Sequence, residues 1–243
     1  MTLNRNTALI AVYTERYVLS LVYLCLAWIE LHKSWGNATA QPSAEGAVFI
    51  ETIRHINQLL LALFTGLLLL LGRRAAVPPQ QLQSVLIPLA TTFYTLIYYT
   101  VPWFPASLQT NLCPPDWRLL FAVTGLACMV IGPMIALWGI LFLGRSFGVF
   151  ITVRKIVLNG PYQWVRHPMY LGWICVCIGV AITNFSSAYF LLVALHICLL
   201  LYRAHLEETQ LAEHSPEYRQ YLKRTGFIFP RILDPIRDLL KAN

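Results

Sequence analysis

The chain has 243 residues, of which 57% are hydrophobic and only 12% charged, with a mean hydropathy of +0.59 and a formal net charge of +7. Soluble domains carry roughly 25% charged residues, so the composition excludes an ordinary water-soluble fold and predicts an integral membrane protein. The surplus of Lys and Arg then reads as basic loops at one membrane face, with no nucleic-acid partner expected.

Lipid offers no hydrogen-bond partner to backbone amides and carbonyls, so only helices or closed barrels cross it. The apolar runs here are continuous and rich in Leu, without the alternation of a barrel strand, which selects helices. The expected fold is all-α: a polytopic transmembrane helix bundle of about six spans, with a C-terminal helical hairpin and cytoplasmic tail helices.

A span needs about 20 apolar residues. In chain order, the first is expected over about Tyr17 to Leu31 and reads as a retained span, because no small-residue cleavage site follows it. The second covers about Ile56 to Leu71, ending at Gly72-Arg73-Arg74, and the third about Val85 to Val101, closed by Pro102-Trp103-Phe104-Pro105. The fourth covers about Leu119 to Leu143, with a kink expected at Pro133 beside Gly132 that would open a groove for a lipid chain. The fifth and sixth, about Met169 to Ile182 and Tyr189 to Tyr202, are joined by a short linker and form a hairpin. Ser215-Pro216-Glu217 then predicts a helix over about Pro216 to Arg224, with Ser as N-cap and Pro at the first helical position. A tail helix is expected over Ile232–Leu240, lying on the membrane surface or standing as a solvated tail helix. Two regions follow from this pass: residues 1–116 with three N-terminal spans, and residues 117–243 with the core that carries the chemistry.

Basic residues set the orientation. Arg73 and Arg74, then Arg145, Arg154, Lys155 and Arg166, then Arg203, Arg219, Lys223, Arg224 and Arg231 fall in segments that alternate onto one face. The positive-inside rule makes that face cytoplasmic and puts both termini there. Five of the six cysteines lie in apolar runs, and Cys175 and Cys177 point to different sides of a helix, so neither a metal site nor a disulfide framework is expected.

Two polar clusters stand out beside the hairpin. Pro168 suits the first position of the fifth helix, which puts His167 near its N-cap with Arg166 just outside. The first amides of a helix lack partners and carry partial positive charge, so this entrance suits a carboxylate or phosphate. Tyr162 and Tyr170 add hydroxyls and aromatic faces. At the end of the sixth helix, Arg203 and Glu207 are four residues apart and share one face, while Glu208 is turned about a third of a revolution away. Because the two helices form a hairpin, these ends should lie side by side. An anion-binding helix start facing carboxylates suits a zwitterionic or ribose-bearing ligand. Taken singly, each cluster also reads as an ordinary solvated helix end. His196, in the middle of the sixth helix, reads as a hydrogen-bonded packing residue.

The stretch Gly160-Pro-Tyr-Gln-Trp-Val-Arg-His-Pro-Met-Tyr-Leu-Gly172, the hairpin, then Arg203-Ala-His-Leu-Glu-Glu-Thr-Gln-Leu211 and Pro216-Glu-Tyr-Arg-Gln-Tyr-Leu-Lys-Arg-Thr225 resembles the isoprenylcysteine carboxyl methyltransferase family, with Leu143-Gly-Arg-Ser-Phe147 as lead-in. The resemblance covers about Trp117 to Arg231, and the spans from Tyr17 to Val101 carry no part of it. It implies a membrane methyltransferase with S-adenosylmethionine as cofactor and a lipophilic acceptor reached from the bilayer, most simply the carboxylate of a prenylcysteine-like molecule. It implies cofactor binding by Tyr162, His167, Pro168, Met169 and Tyr170, by the stretch Arg154, Lys155, Ile156 and Val157, and by Glu207, with Glu208 beside it. Arg203 matches an arginine placed at the acceptor, so Arg203 and Glu207 are expected to carry catalysis. The related phospholipid methyltransferases keep an amine acceptor open, and a thiol acceptor also stays open; either would want a base such as His167, Glu208 or His205. A membrane reductase using NADPH is a further reading, with Arg154-Lys155 as its sole basic cluster for a phosphate.

Overall fold

The computed structural model describes residues 2–39, 45–73 and 75–231, and these are all helix, turn and loop, joined by three isolated bridge pairs. The helices are α1 (Arg5–Tyr13), α2 (Ser20–Thr39), α3 (Glu45–Leu71), α4 (Gln83–Phe93), the short α5 (Ala106–Gln109), α6 (Arg118–Leu143), α7 (Pro168–Asn184), α8 (Ser187–His214) and α9 (Pro216–Arg224). A π-helical segment, Thr14–Leu19, joins α1 to α2, and a 3-10 stretch, Tyr94–Trp103, continues α4. The expected tail helix over Ile232–Leu240 lies outside the described residues.

The all-helical expectation holds, and the chain is an integral membrane protein. Among the described residues, three helices are long and apolar enough to cross a bilayer: Arg5–Ile29, Pro115–Ser146 and Ser187–His214. Leu59–Leu71, Gln83–Phe93 and Pro168–Asn184 are shorter apolar helices. The first long helix starts twelve residues before the expected Tyr17, and the acid within this added stretch, Glu15, is buried and paired with Arg154 inside the protein. The third run is regular α-helix only over Gln83–Phe93, with Pro88 accommodated inside it, and continues as the 3-10 stretch that contains Pro102.

The tightest helix pair is α6 against α7, and small residues explain it. Gly125, Gly132 and Gly139 recur every seventh residue on α6, and Gly172 and Gly179 do so on α7. A Cβ at Gly132 would lie 2.6 Å from the Gly172 carbonyl oxygen, and a Cβ at Gly179 2.6 Å from that of Gly125. Such close backbone approach is how helices gain packing energy where lipid removes the usual hydrophobic drive. The groove expected at Pro133 is therefore filled: Gly132 and Pro133 are buried within a continuous α6, with α7 pressed against the glycine face.

The core crosses from the N-terminal helices to the C-terminal ones. Leu19, Leu61 and Leu69 pack with Ala136 and Ile140 of α6 and with Phe147, Val149 and Phe150 of the following loop. A second cluster joins Tyr170, Cys177 and Ala181 of α7 to Val193, Leu200 and Ala204 of α8 and to Ile228. Between the clusters, His196 is buried against the Tyr94 ring, with its Nδ1 3.1 Å from the Tyr98 hydroxyl, a packing residue as its position suggested.

Candidate functional site

The site is built at the end of the bundle where α7 begins and α8 runs past its apolar section. Pro168 occupies the start of α7 with His167 at the N-cap, as the sequence indicated. The chain beyond α9 folds back to close this entrance: the amides of Arg166 and His167 donate to the carbonyls of Gly226 and Phe227 at 2.8 and 3.2 Å. Phe227 then packs edge-on to the His167 ring and under the Arg166 guanidinium. α9 itself spans Pro216–Arg224 as predicted, with the Ser215 hydroxyl capping the Tyr218 amide.

The ends of α7 and α8 do lie side by side. Glu208 accepts from Arg166 Nε at 2.5 Å, and its Oε1 is 3.0 Å from His167 Nε2. Arg166 also donates to the carbonyls of Leu222 and Thr225. Glu207 points the other way. It accepts from the Tyr170 hydroxyl at 2.5 Å and from Arg203 Nε at 3.2 Å. Arg203 is buried although it is charged, and three of its five N–H groups have protein acceptors: Glu207, the Thr91 hydroxyl at 2.8 Å and the Val149 carbonyl at 2.6 Å. Its guanidinium lies 5.5 Å from the centre of the Tyr170 ring.

A cavity of about 140 Å³ opens between these groups and the loop after α6. Ten of the residues singled out from the sequence line it: Arg154, Lys155, Ile156, Val157, Tyr162, His167, Met169, Tyr170, Arg203 and Glu207. Two do not. Pro168 is buried behind the wall, toward Gly139 of α6. Glu208 is turned away from the cavity and holds Arg166 and His167 in place. Arg166 lines the cavity as well, with Leu143, Phe147, Phe150 and Met169 supplying apolar surface.

Tyr218 and Tyr221 of α9 complete the wall, and neither was among the site residues expected from the sequence, which predicted only the helix that carries them. Burial pushes the phenols of Tyr162, Tyr218 and Tyr221 above their ordinary range, and the charge of Glu207 adds to the effect at Tyr162. They are therefore neutral donors rather than bases: Tyr221 donates to the Tyr162 carbonyl at 2.5 Å. Glu15 and Thr91 were also missed. Glu15 had one legible signal, an acid inside a long helical run with apolar flanks, which is costly in a membrane unless paired. Thr91 had none, since a Thr in an apolar helix is ordinary.

The donor set suits a zwitterionic ligand of the S-adenosylmethionine type. Arg154 has a buried Nε without a partner among the described residues, and Arg166 adds a second cation for a carboxylate. Glu207 offers a carboxylate to hydroxyls or an ammonium. Ile156, Val157, Met169 and Leu143 give apolar walls for a flat ring.

Residues 120–217 match the phospholipid methyltransferase family. The chain is 34% identical over 89 residues to the cobalt-zinc-cadmium resistance protein CzcN of Cupriavidus metallidurans, covering 35% of this chain and 41% of that protein. It is 27% identical over 142 residues to the human protein-S-isoprenylcysteine O-methyltransferase, covering 52% of this chain and 48% of the relative. A solved structure of the eukaryotic intramembrane Ras methyltransferase ICMT aligns over 92% of this chain and 97% of that one, with 15% identity and a TM-score of 0.40. The chain thus spans about half the length, or less, of the curated relatives it matches. Over the half of the chain that builds most of the cavity, the sequence resemblance to the isoprenylcysteine carboxyl methyltransferases is borne out.

Proposed function

We propose that the chain is a membrane methyltransferase that moves a methyl group from S-adenosylmethionine to the carboxylate of a prenylcysteine-like or other small lipophilic acceptor. One observation carries the reading: Glu207, Arg203, Tyr170, Tyr162 and the His167 entrance of α7 line one cavity with the Arg154–Val157 stretch. The similarity to the phospholipid methyltransferase family and to the isoprenylcysteine O-methyltransferases supports the same activity. In this reading Tyr162, His167, Met169, Tyr170, Glu207 and the stretch Arg154, Lys155, Ile156 and Val157 hold the donor, while Pro168 and Glu208 set the position of the entrance. The cavity faces the cytoplasmic side, where the basic loops gather.

S-adenosylmethionine supplies an already activated methyl group. The protein's share is to align the reacting atoms and keep water out. A carboxylate acceptor is ionised at neutral pH and needs no base. Arg203 keeps two N–H groups beyond its three protein contacts, enough to hold such a carboxylate in a bidentate pair. An amine acceptor on a phospholipid is the second reading, favoured by the match to the phospholipid methyltransferase family. It would need a base, and His167 already spends its Nε2 on Glu208.

The test is calorimetry on the detergent-solubilised protein with S-adenosylmethionine, S-adenosylhomocysteine and NADPH, followed by methyl transfer to a prenylcysteine and to an aminophospholipid. Binding of the first two and methylation of the prenylcysteine is the expected result. Binding of NADPH alone would replace the reading with a reductase, and methylation of the aminophospholipid alone would move the acceptor to an amine.

A further inference from the structure

The first helix carries a charge that the methyl-transfer reading leaves unexplained. Glu15 sits in the π-helical segment between α1 and α2 and is 2% exposed, deep enough that an unpaired carboxylate there is untenable. Both of its oxygens reach across to the loop after α6. Oε1 accepts from the Phe150 amide at 2.8 Å, and Oε2 pairs with Arg154 Nη2 at 2.6 Å. The wider π turn departs from the α-helical register at this acid, and such turns recur where a helix serves a site.

The far side of the contact is built to receive it. A Cβ at Gly148 would lie 1.4 Å from Arg154 Nη1, so the guanidinium crosses the space left by the missing side chain. Arg154 and Phe150 both line the main cavity. Arg154 therefore has Glu15 behind it and the cavity in front, with its Nε unpartnered. The same loop is tied to the N-terminal half by the Ile151 amide on the Ser84 carbonyl at 3.1 Å and by mutual bonds between Val77 and Val153. Those backbone ties fix where the loop runs. Glu15 fixes the direction and the charge of its arginine.

We propose that Glu15 is a positioning residue for the methyl-donor site: it orients Arg154 toward the donor and neutralises it, which makes the first helix part of that site. The proposal rests on the donor reading above. The chemistry is electrostatic. S-adenosylmethionine carries a sulfonium cation and an ammonium as well as a carboxylate. An arginine with no counter-charge would repel the first two in a site shielded from water. Paired with Glu15, it can meet the carboxylate without adding net positive charge to the pocket.

The variant that tests this is Glu15→Gln, which keeps an acceptor for the Phe150 amide but removes the charge that holds Arg154. Two readouts separate the possible failures. Hydrogen exchange of the ligand-free protein should show faster exchange at residues 150–157; unchanged exchange there overturns the clamp, whatever the donor is. Calorimetry should show S-adenosylmethionine binding weaker by on the order of tenfold, equivalent to about 1.4 kcal/mol. The KM for the acceptor should stay as it was, and Glu15→Asp should recover most of the loss. Equal donor binding by the parent and Glu15→Gln would overturn the positioning role. Failure of the parent itself to bind donor would remove the methyl-transfer reading, while the exchange result would still decide whether Glu15 holds the loop. If Glu15→Gln does not fold, Gly148→Ala provides the same test, because its Cβ displaces Arg154 with Glu15 intact; unaltered exchange and donor affinity in that variant would overturn the proposal.

Discussion

The α7–α8 hairpin and the N-terminal helices α1–α4 make opposite use of polar residues. In the hairpin, charge is concentrated at one end and paired locally: Glu207 with Arg203 one turn away, and Glu208 with Arg166 and His167 on the adjacent helix start. In the N-terminal helices the important polar groups are single residues on apolar elements, and their partners are far off in sequence. Glu15 pairs with Arg154, and Thr91 accepts from Arg203. The first kind of site is a motif, because its parts fall within the one hairpin from Arg166 to Glu208. The second kind is a set of supports that exists only once the bundle has closed. The cavity needs both, since its walls come from the hairpin and from a loop that the N-terminal helices hold in place.

The sharpest way to break the comparison is to separate α6 from α7. A Cβ at Gly172 would lie 2.4 Å from the Gly132 carbonyl oxygen and 2.7 Å from the Ala136 amide nitrogen, both backbone atoms that cannot rotate away. Gly172→Leu should cost more than about 4 kcal/mol, the range reached by severe overpacking. The expected outcome is loss of the monodisperse peak in detergent size-exclusion chromatography and of donor binding with it. A folded, active Gly172→Leu protein would show that the hairpin does not depend on this packing.

Next in size is Glu207→Ala. It removes the acceptor of Tyr170 and Arg203 together and leaves a buried guanidinium short of a counter-charge. Breaking such a pair costs about 3 kcal/mol or more, so donor affinity measured by calorimetry should fall by on the order of 100-fold. A fall of less than about threefold would remove Glu207 from the donor site.

These two variants lie where the sequence was most readable. The helical runs were legible because lipid allows few alternatives, and α9 was legible residue by residue because Ser215 and Pro216 mark a helix start by mechanism. The meeting of Arg203, Glu207 and His167 followed from a short hairpin linker, which leaves two helices no choice but to run side by side. Less legible was anything requiring a long-range partner. Glu15 lies before the expected start of the first span, and only the position of Arg154 shows why an acid is tolerated inside the longer helix. The groove expected at Pro133 failed for a similar reason: proline predicts a local defect, but the heptad of glycines on α6 invites a neighbour to cover it. The turning of Glu208 away from the cavity was illegible because adjacent residues on a helix face different neighbours, and the neighbour here, the Arg166 segment, is fixed by the chain returning after α9.

Thr91 sharpens the comparison from the N-terminal side. Its hydroxyl accepts from Arg203 Nη1 and donates to the Pro88 carbonyl, which fixes the hydroxyl's direction. Thr91→Val keeps the shape and removes the acceptor. A hydrogen bond to a charged group contributes about 1.5–3 kcal/mol, so turnover of the acceptor should fall roughly tenfold while donor affinity holds, and Thr91→Ser should restore it. If donor affinity falls and acceptor kinetics do not, Arg203 serves the donor rather than the acceptor.

The smallest effect is expected at Glu208, and it separates a residue that touches ligand from one that holds a neighbour. Glu208→Gln preserves the size and one acceptor oxygen, while Arg166 keeps its bonds to the Leu222 and Thr225 carbonyls and His167 keeps its amide bond to Phe227. What is lost is the charge behind Arg166 and His167. The pair is partly exposed, with side chains 11% and 14% accessible for Arg166 and Glu208, so solvent screening takes back part of that loss. Donor affinity should therefore drop by about threefold, less than for Glu15→Gln and far less than for Glu207→Ala, in the calorimetric series that measures all three. Should Glu208→Gln equal Glu207→Ala, both carboxylates would belong to the donor site and the turning of Glu208 toward Arg166 would be a feature of the ligand-free state alone. A threefold effect would instead divide the Glu-Glu pair cleanly, with one carboxylate for the ligand and one for the helix entrance that receives it.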